Sequence, residues 1–147
     1  MILTGNGIRN AIGQKKILIT PFNDNHINPN SYDISIGKTI SYYHDNKTLD
    51  MKIESKYITK KIPKSGFVLK KNKFYFAMSK EKIQTEYFVP LLHNRSGVAR
   101  KGLFTHITAD LLQINHNGHV LIQLFALSDT IIYPEQIVSQ ISFWKTV

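Results

Sequence analysis

The sequence predicts a single, mostly β domain, a closed barrel or jelly roll opened by one short helix. Three observations predict it. Short apolar runs, some alternating and some continuous, recur along the chain with turn-forming residues between them. Only the first dozen residues place apolar side chains at helical spacing. The 147 residues fit one buried core, and no linker, internal repeat or low-complexity tract divides residues 1–147.

The elements follow in order. Thr4 is a candidate N-cap, and Ile8, Ala11 and Ile12 form the apolar stripe of a helix weakened by Gly5, Gly7 and Gly13. From Ile17 the pattern is β. Ile17–Thr20 is a short apolar run, Tyr32, Ile34 and Ile36 share one face of an alternating strand, and Ile40–Tyr43 continues to a turn at 44–47. Lys73–Met78 and Phe88–Leu92 read as further strands, with Pro90 restricting the latter to an edge or a bulge. Asn117-Gly118 reads as a type I′ hairpin turn joining residues 111–114 to residues 119–127. Val120, Ile122, Leu124 and Ala126 share one face of that last strand; Leu121, Gln123, Phe125 and Leu127 share the other. Two apolar faces predict a central strand buried on both sides.

Composition narrows the function. Hydrophobic residues make up 42% and charged residues 20%, too apolar for a disordered chain. With no cysteine there is no disulfide framework, and Cys-containing zinc sites are excluded, as is the zinc nucleobase deaminase signature. No apolar run approaches a membrane span and no signal pattern opens the chain, so the expected setting is the cytoplasm. The net charge of +9 is almost all in residues 51–82, where ten lysines face only Glu54 and Glu81 for a local +8. Such a stretch could attract nucleic acid, with affinity falling steeply with salt, or a polyphosphate, or it could guard exposed strand edges. The edge-guarding reading is preferred, because no arginine-rich or glycine-rich recognition pattern accompanies the lysines.

Against sixteen lysines there are only three arginines, and two of them, Arg95 and Arg100, lie in Arg95-Ser96-Gly97-Val98-Ala99-Arg100-Lys101-Gly102. Guanidinium groups grip phosphate or carboxylate with paired hydrogen bonds that lysine cannot reproduce. With a hydroxyl and glycine-permitted backbone N–H groups, the segment is either a phosphate cradle or a plain surface loop. Gln123, on an otherwise apolar face, is either a core amide satisfied by backbone or a polar group aimed into a pocket. His116-x-x-His119 is a weak candidate metal pair.

Several ordered motifs resemble the dCTP deaminase branch of the dUTPase superfamily. Residues 2–12 with Ile17–Phe22 resemble its opening helix and first strand. His26-Ile-Asn-Pro-Asn-Ser-Tyr-Asp33 with Gly37 resembles "QPNSYDLRLG", and Asn94–Leu103 resembles "GRSSLARLGL". Thr105–Ala109 followed by Gly118–Leu124 resembles "VHVTA…GxITLEL", and Tyr133–Phe143 resembles the closing "YPGMRIGQLVF". The lysine-rich middle is the least alike. The resemblance implies a dUTPase-like β fold, a homotrimer with sites between subunits, and a pyrimidine deoxynucleotide as ligand, with Mg²⁺ carried only by the triphosphate and no protein-bound zinc. It implies that Arg95, Ser96, Gly97 and Arg100 hold the nucleotide and that Ser96 and Arg100 also help to position the base and the attacking water. Backbone at Thr108 and Ala109 would meet the base. Asp33 matches the aspartate of the N-terminal motif and equally suits a structural hydrogen bond.

The departures fall on the chemistry. The glutamate that moves protons in the family deaminases is here Gln123, and a glutamine cannot take a proton; positioned acid–base catalysis is typically worth about 10²–10⁴-fold. The aspartate that activates water in the related dUTPases is Gln113, with Asp110 three residues earlier, and the second serine of "RSS" is Gly97. The chain stops at Val147, where family members continue into an arm that covers the triphosphate. Two expectations follow: a dCTP-deaminase-like enzyme giving dUTP with Ser96, Arg100 and Gln123 at its reacting end, or a catalytically silent nucleotide- or protein-binding relative. Nucleic acid and membrane are not expected partners.

Overall fold

A computed structural model describes residues 1–147. The chain opens with helix α1 (Gly5–Gly13), capped as expected by the Thr4 hydroxyl, which accepts the Gly7 N–H at 3.2 Å. Ile8 and Ala11 turn into the core. Gly5 is needed for close approach: a Cβ there would lie 2.7 Å from the Asn28 carbonyl oxygen, and its N–H donates to the Pro29 carbonyl. This contact fixes the 28–29 segment beneath the site.

Eleven strands follow: β1 (Ile17–Thr20), β2 (Tyr32–Ser35), β3 (Thr39–Tyr42), β4 (Ile58–Lys61), β5 (Phe67–Leu69), β6 (Phe74–Thr85), β7 (Phe88–Asn94), β8 (Leu103–Thr105), β9 (Asn117–Ala126), β10 (Thr130–Ile132) and β11 (Ile137–Lys145), with a one-turn helix α2 (Ser96–Ala99) between β7 and β8. Six strands form one sheet in the order β4-β3-β6-β9-β8, with β1 also paired to β6. A second sheet runs β2-β11-β7, and β10 pairs with β5. Pro90 sits on β7, an edge strand of its sheet, where its missing N–H breaks no ladder. The sheets enclose one core that includes Tyr32, Ile34, Ile122, Leu124, Ile141 and Phe143. The Tyr32 hydroxyl accepts the Asn23 N–H at 2.9 Å, and burial raises its pKa above the ordinary phenol value.

A bulge ties the two larger sheets together. The β6–β9 register slips between Met78 and Lys82, which frees the Val120 N–H from the ladder. The Ser79 hydroxyl accepts that N–H at 2.7 Å and donates to the Glu81 carbonyl, while His119 Nδ1–H donates to the Ser79 carbonyl at 2.9 Å. The buried Glu81 carboxylate reaches across to the Ser35 N–H on β2 at 2.9 Å.

Two expectations are corrected. Asn117-Gly118 is not a hairpin turn: both residues already lie in β9, paired with Gln84 and Ile83 on β6. The turn falls at 114–115, with positive φ on Asn115, and residues 110–112 lie against β7 instead of β9. Pairing with the long β6 draws Asn117 and Gly118 into the sheet, and the neighbouring asparagine takes the left-handed conformation. Nor is β9 buried on both faces. Val120, Ile122, Leu124 and Ala126 are buried, but Leu121 and Leu127 are exposed, beside Phe74, Met78 and Phe104 on the same outer sheet surface.

The lysine-rich stretch includes the open edge of the large sheet, strand β4, and runs on through β5 into the central strand β6. β4 pairs only with β3 and presents Lys60 and Lys61 to solvent. Three lysines of the stretch are neutralised: Lys70 by Asp129 at 3.0 Å, Lys73 by Asp45 at 2.6 Å and Lys80 by Glu135 at 3.3 Å. No helix is long and apolar enough to cross a membrane.

Candidate functional site

The arginine-containing segment is a loop closed at its base. β7 ends at Asn94, whose Nδ2 donates to the Leu103 carbonyl at 2.9 Å where β8 begins. Within the loop, the Arg95 carbonyl accepts from the Val98 and Ala99 N–H groups and forms the turn of α2. Gly102, at φ +74°, supplies the left-handed residue that swings the chain into β8. Gln140 on β11 holds the loop from the opposite side: its Nε2 donates to the Asn94 carbonyl at 3.0 Å, and its Oε1 accepts from Ser31 at 2.6 Å.

This scaffold frames a cleft of about 550 Å³. Arg95, Ser96, Gly97 and Lys101 line it from the loop, Gln136 and Gln140 from the β10–β11 side, and Asn28 and Asp33 from beneath. Asp33 is buried, and its Oδ1 lies 3.2 Å from Arg95 Nε and 2.8 Å from Asn28 Nδ2. One carboxylate thus grips one edge of the guanidinium. The terminal NH₂ groups of Arg95 make no hydrogen bond within the chain and are available to an anionic ligand. The Ser96 hydroxyl and the first backbone N–H groups of α2 stand beside them. With Arg95 and Lys101 against Asp33, the cleft suits phosphate oxygens.

A second cluster lies elsewhere. On the outer face of β9, Gln123 Oε1 accepts the N–H groups of Ile107 at 3.0 Å and Thr108 at 3.2 Å and lies 3.2 Å from Thr108 Oγ1; Gln123 Nε2 donates to Thr108 Oγ1 at 3.1 Å. His106 opens this loop with φ +60°, its N–H bonded to the Gln123 carbonyl, its Nε2–H donating to the Ala109 carbonyl and its buried Nδ1 unpartnered. Burial pushes its pKa below the ordinary imidazole value.

Within one chain, therefore, Arg95, Ser96 and Gly97 share the cleft, whereas Gln123, Thr108 and Ala109 share the loop cluster. Arg100 is exposed and does not line the cleft, and Gln113 is exposed beside the turn at 114–115. Asp110 packs by its carbonyl against the Leu92 N–H. His116 and His119 are engaged with backbone carbonyls, and no group of three or more His, Asp or Glu side chains is placed to hold a metal. Ser142 is buried and shared by His93 and Trp144, so that serine–histidine pair serves packing.

Asn28, Lys101, Gln136 and Gln140 are cleft residues that residue-by-residue reading did not single out. Gln140 carried the clearest signal, a long amide between Val138 and Ile141 in an apolar strand, the same anomaly that marks Gln123.

Comparison with known proteins places the whole chain in one family. The family described as dCTP deaminase-like matches residues 2–146. A protein of Hathewaya histolytica named dCTP deaminase, dUMP-forming, is 40% identical over 143 residues, covering 97% of this chain and 82% of its own. One of Clostridium botulinum (strain Eklund 17B / Type B) with the same name is 38% identical over the same span. A dCTP deaminase of Rhodopirellula baltica is 30% identical, covering 99% of this chain and 72% of its own. The crystal structure of 2′-deoxycytidine 5′-triphosphate deaminase from Agrobacterium tumefaciens superposes with a TM-score of 0.77 at 15% identity over 99% of this chain. This chain spans about half (48%) of that one.

Proposed function

This chain belongs to the dCTP deaminase-like family, and on that premise we propose that it is a pyrimidine deoxynucleotide protein of the dCTP deaminase type, with its site assembled between copies of the chain. The observation that carries this reading is the Asp33–Arg95 pair at the head of a cleft that also holds Ser96 and Lys101. A triphosphate with its Mg²⁺ would bind there, its oxygens bridging the Arg95 NH₂ groups, the Ser96 hydroxyl and the backbone N–H groups opening α2. The base end would be Gln123 with the Thr108–Ala109 backbone. Because these lie outside the cleft of their own chain, they would serve the cleft of a neighbour. The exposed Phe74, Met78, Phe104, Leu121 and Leu127 support such packing, as a homotrimer, on the outer sheet face.

The reaction this arrangement would serve adds water at C4 of cytosine and expels ammonia, so that dCTP and water give dUTP and ammonia. The dUMP of the relatives' names requires a second water, attacking the phosphate chain and releasing pyrophosphate. Ser96 and Arg100 would position the base and the first water. Incubation with dCTP and Mg²⁺ at high protein concentration tests the reaction: release of ammonia supports it, and its absence rejects turnover.

One observation favours the second reading, a binding protein without turnover. The proton acceptor expected on β9 is an amide, and its oxygen is already committed to the Ile107 and Thr108 N–H groups. Gln113, likewise an amide, offers no base for the second water. Recovery of turnover in Gln123→Glu supports an intact scaffold with silenced chemistry.

A further inference from the structure

The orientation of the Gln123 amide is fixed by its partners. Two backbone N–H groups, of Ile107 and Thr108, converge on one end of it at 3.0 and 3.2 Å. Backbone N–H groups only donate, so the oxygen must face them and the NH₂ must face away. The oxygen has two lone pairs, and those two N–H groups take both, with the Thr108 hydroxyl beside them at 3.2 Å. Of the two Nε2 hydrogens, one is held by Thr108 Oγ1 at 3.1 Å. What Gln123 retains for a ligand is one N–H donor and no acceptor.

We infer that the base end of this site takes 4-oxo pyrimidine deoxynucleotides, those of uracil or thymine, in preference to the 4-amino nucleotide of cytosine. The inference rests on the reading that Gln123 meets the base. A 4-oxo oxygen accepts the free Nε2–H. A 4-amino group brings only N–H donors against an N–H donor, and no Gln123 lone pair remains to receive them, so both sets of donors are stranded in the site. Sites that read a hydrogen-bonding group discriminate far better than sites that read shape, because the mismatched ligand leaves buried polar groups unpaired. The chain would thus hold the deaminated form of the nucleotide, in keeping with a residue 123 that offers no free proton acceptor. A glutamate at 123 would keep one oxygen on the two N–H groups and turn a second oxygen, an acceptor, outward.

The test is calorimetric titration of the full-length chain with the α,β-imido analogues of dUTP and dCTP in Mg²⁺ buffer at one fixed salt concentration. The expected result is binding of the uracil analogue at least about tenfold tighter than the cytosine analogue. The ratio should collapse or invert in Gln123→Glu and approach unity in Gln123→Met, which keeps the volume and removes the donor. Equal or tighter binding of the cytosine analogue by the unmodified chain, or a ratio unmoved by both variants, overturns the inference while leaving the site in place. Failure of both analogues to bind, or binding indifferent to Arg95→Ala, overturns the site itself.

Discussion

The buried carboxylate of Asp33 lies 3.2 Å from Nε of Arg95, in an ion pair on one edge of the guanidinium that leaves the terminal NH₂ groups without a partner in the chain. A lysine offers no such second edge, which accounts for an arginine here in a chain that otherwise uses lysine. Asp33→Ala leaves the Arg95 guanidinium without its counter-charge and Asn28 Nδ2 without its acceptor. Denaturant unfolding is expected to show a loss of about 1–3 kcal/mol. Triphosphate affinity should fall about tenfold or more, through the freed guanidinium. Unchanged affinity with reduced stability would remove Arg95 from the phosphate end.

Gly97 is a glycine without a steric reason. A Cβ there meets nothing within 4 Å, and its φ is not in the left-handed region. Gly97→Ser should fold with stability within about 0.5 kcal/mol of the parent. It should also add a hydroxyl to the cleft and tighten triphosphate binding in a titration. A large stability loss would mean that the loop has less room than its geometry shows.

His106 gives the 106–109 loop a pH dependence of known sign. Its folded pKa lies below the ordinary imidazole value because burial disfavours the charged ring, and its Nδ1 has no acceptor to receive a second proton. As pH falls through about 6.5 the unfolded chain takes up a proton that the folded loop resists, so stability is full above that range and lost below it. The exchange protection factors of the Ile107 and Thr108 N–H groups should fall as pH is lowered from about 7.5 to about 5.5. His106→Asn, which tolerates the same positive φ, should flatten this profile. A profile that His106→Asn leaves unchanged would assign the effect to another group.

Ser79→Ala removes the only partner of the Val120 N–H in the β6–β9 bulge. The expected cost is about 1–3 kcal/mol by denaturant unfolding, far above that of an exposed serine. A loss below about 0.5 kcal/mol would mean that the bulge relaxes to pair Val120 elsewhere.

Much of this arrangement is legible in the sequence alone. Thr4 as cap, Pro90 on an edge and the apolar phase of Val120, Ile122, Leu124 and Ala126 are local matters of propensity and periodicity, and they hold. Ile114-Asn-His-Asn-Gly118 contains two competing turn signals within five residues, and only the long-range pairing with Gln84 and Ile83 decides between them. The second apolar face of β9 was legible as apolar, but its cover was not, because one chain leaves Leu121 and Leu127 open. Arg95 and Ser96 announced themselves by residue type. The far wall of their cleft did not: Gln140 comes from a strand more than forty residues away, brought there by the pairing of β11 with β7.

The Asn94–Leu103 closure has a consequence for how this protein can change. That side-chain bond and the Gln140 brace fix both ends of the eight-residue span 95–102 to the sheets, while Arg95 holds Asp33, Val98 packs on the core and the Gly102 carbonyl accepts the Leu127 N–H. The exposed positions Ser96, Gly97, Ala99, Arg100 and Lys101 can be exchanged at constant length without disturbing the strands that carry the span, whereas an insertion or deletion would have to break the clasp. Ligand preference at the anionic end is therefore free to drift by substitution alone, independently of the amide at the other end.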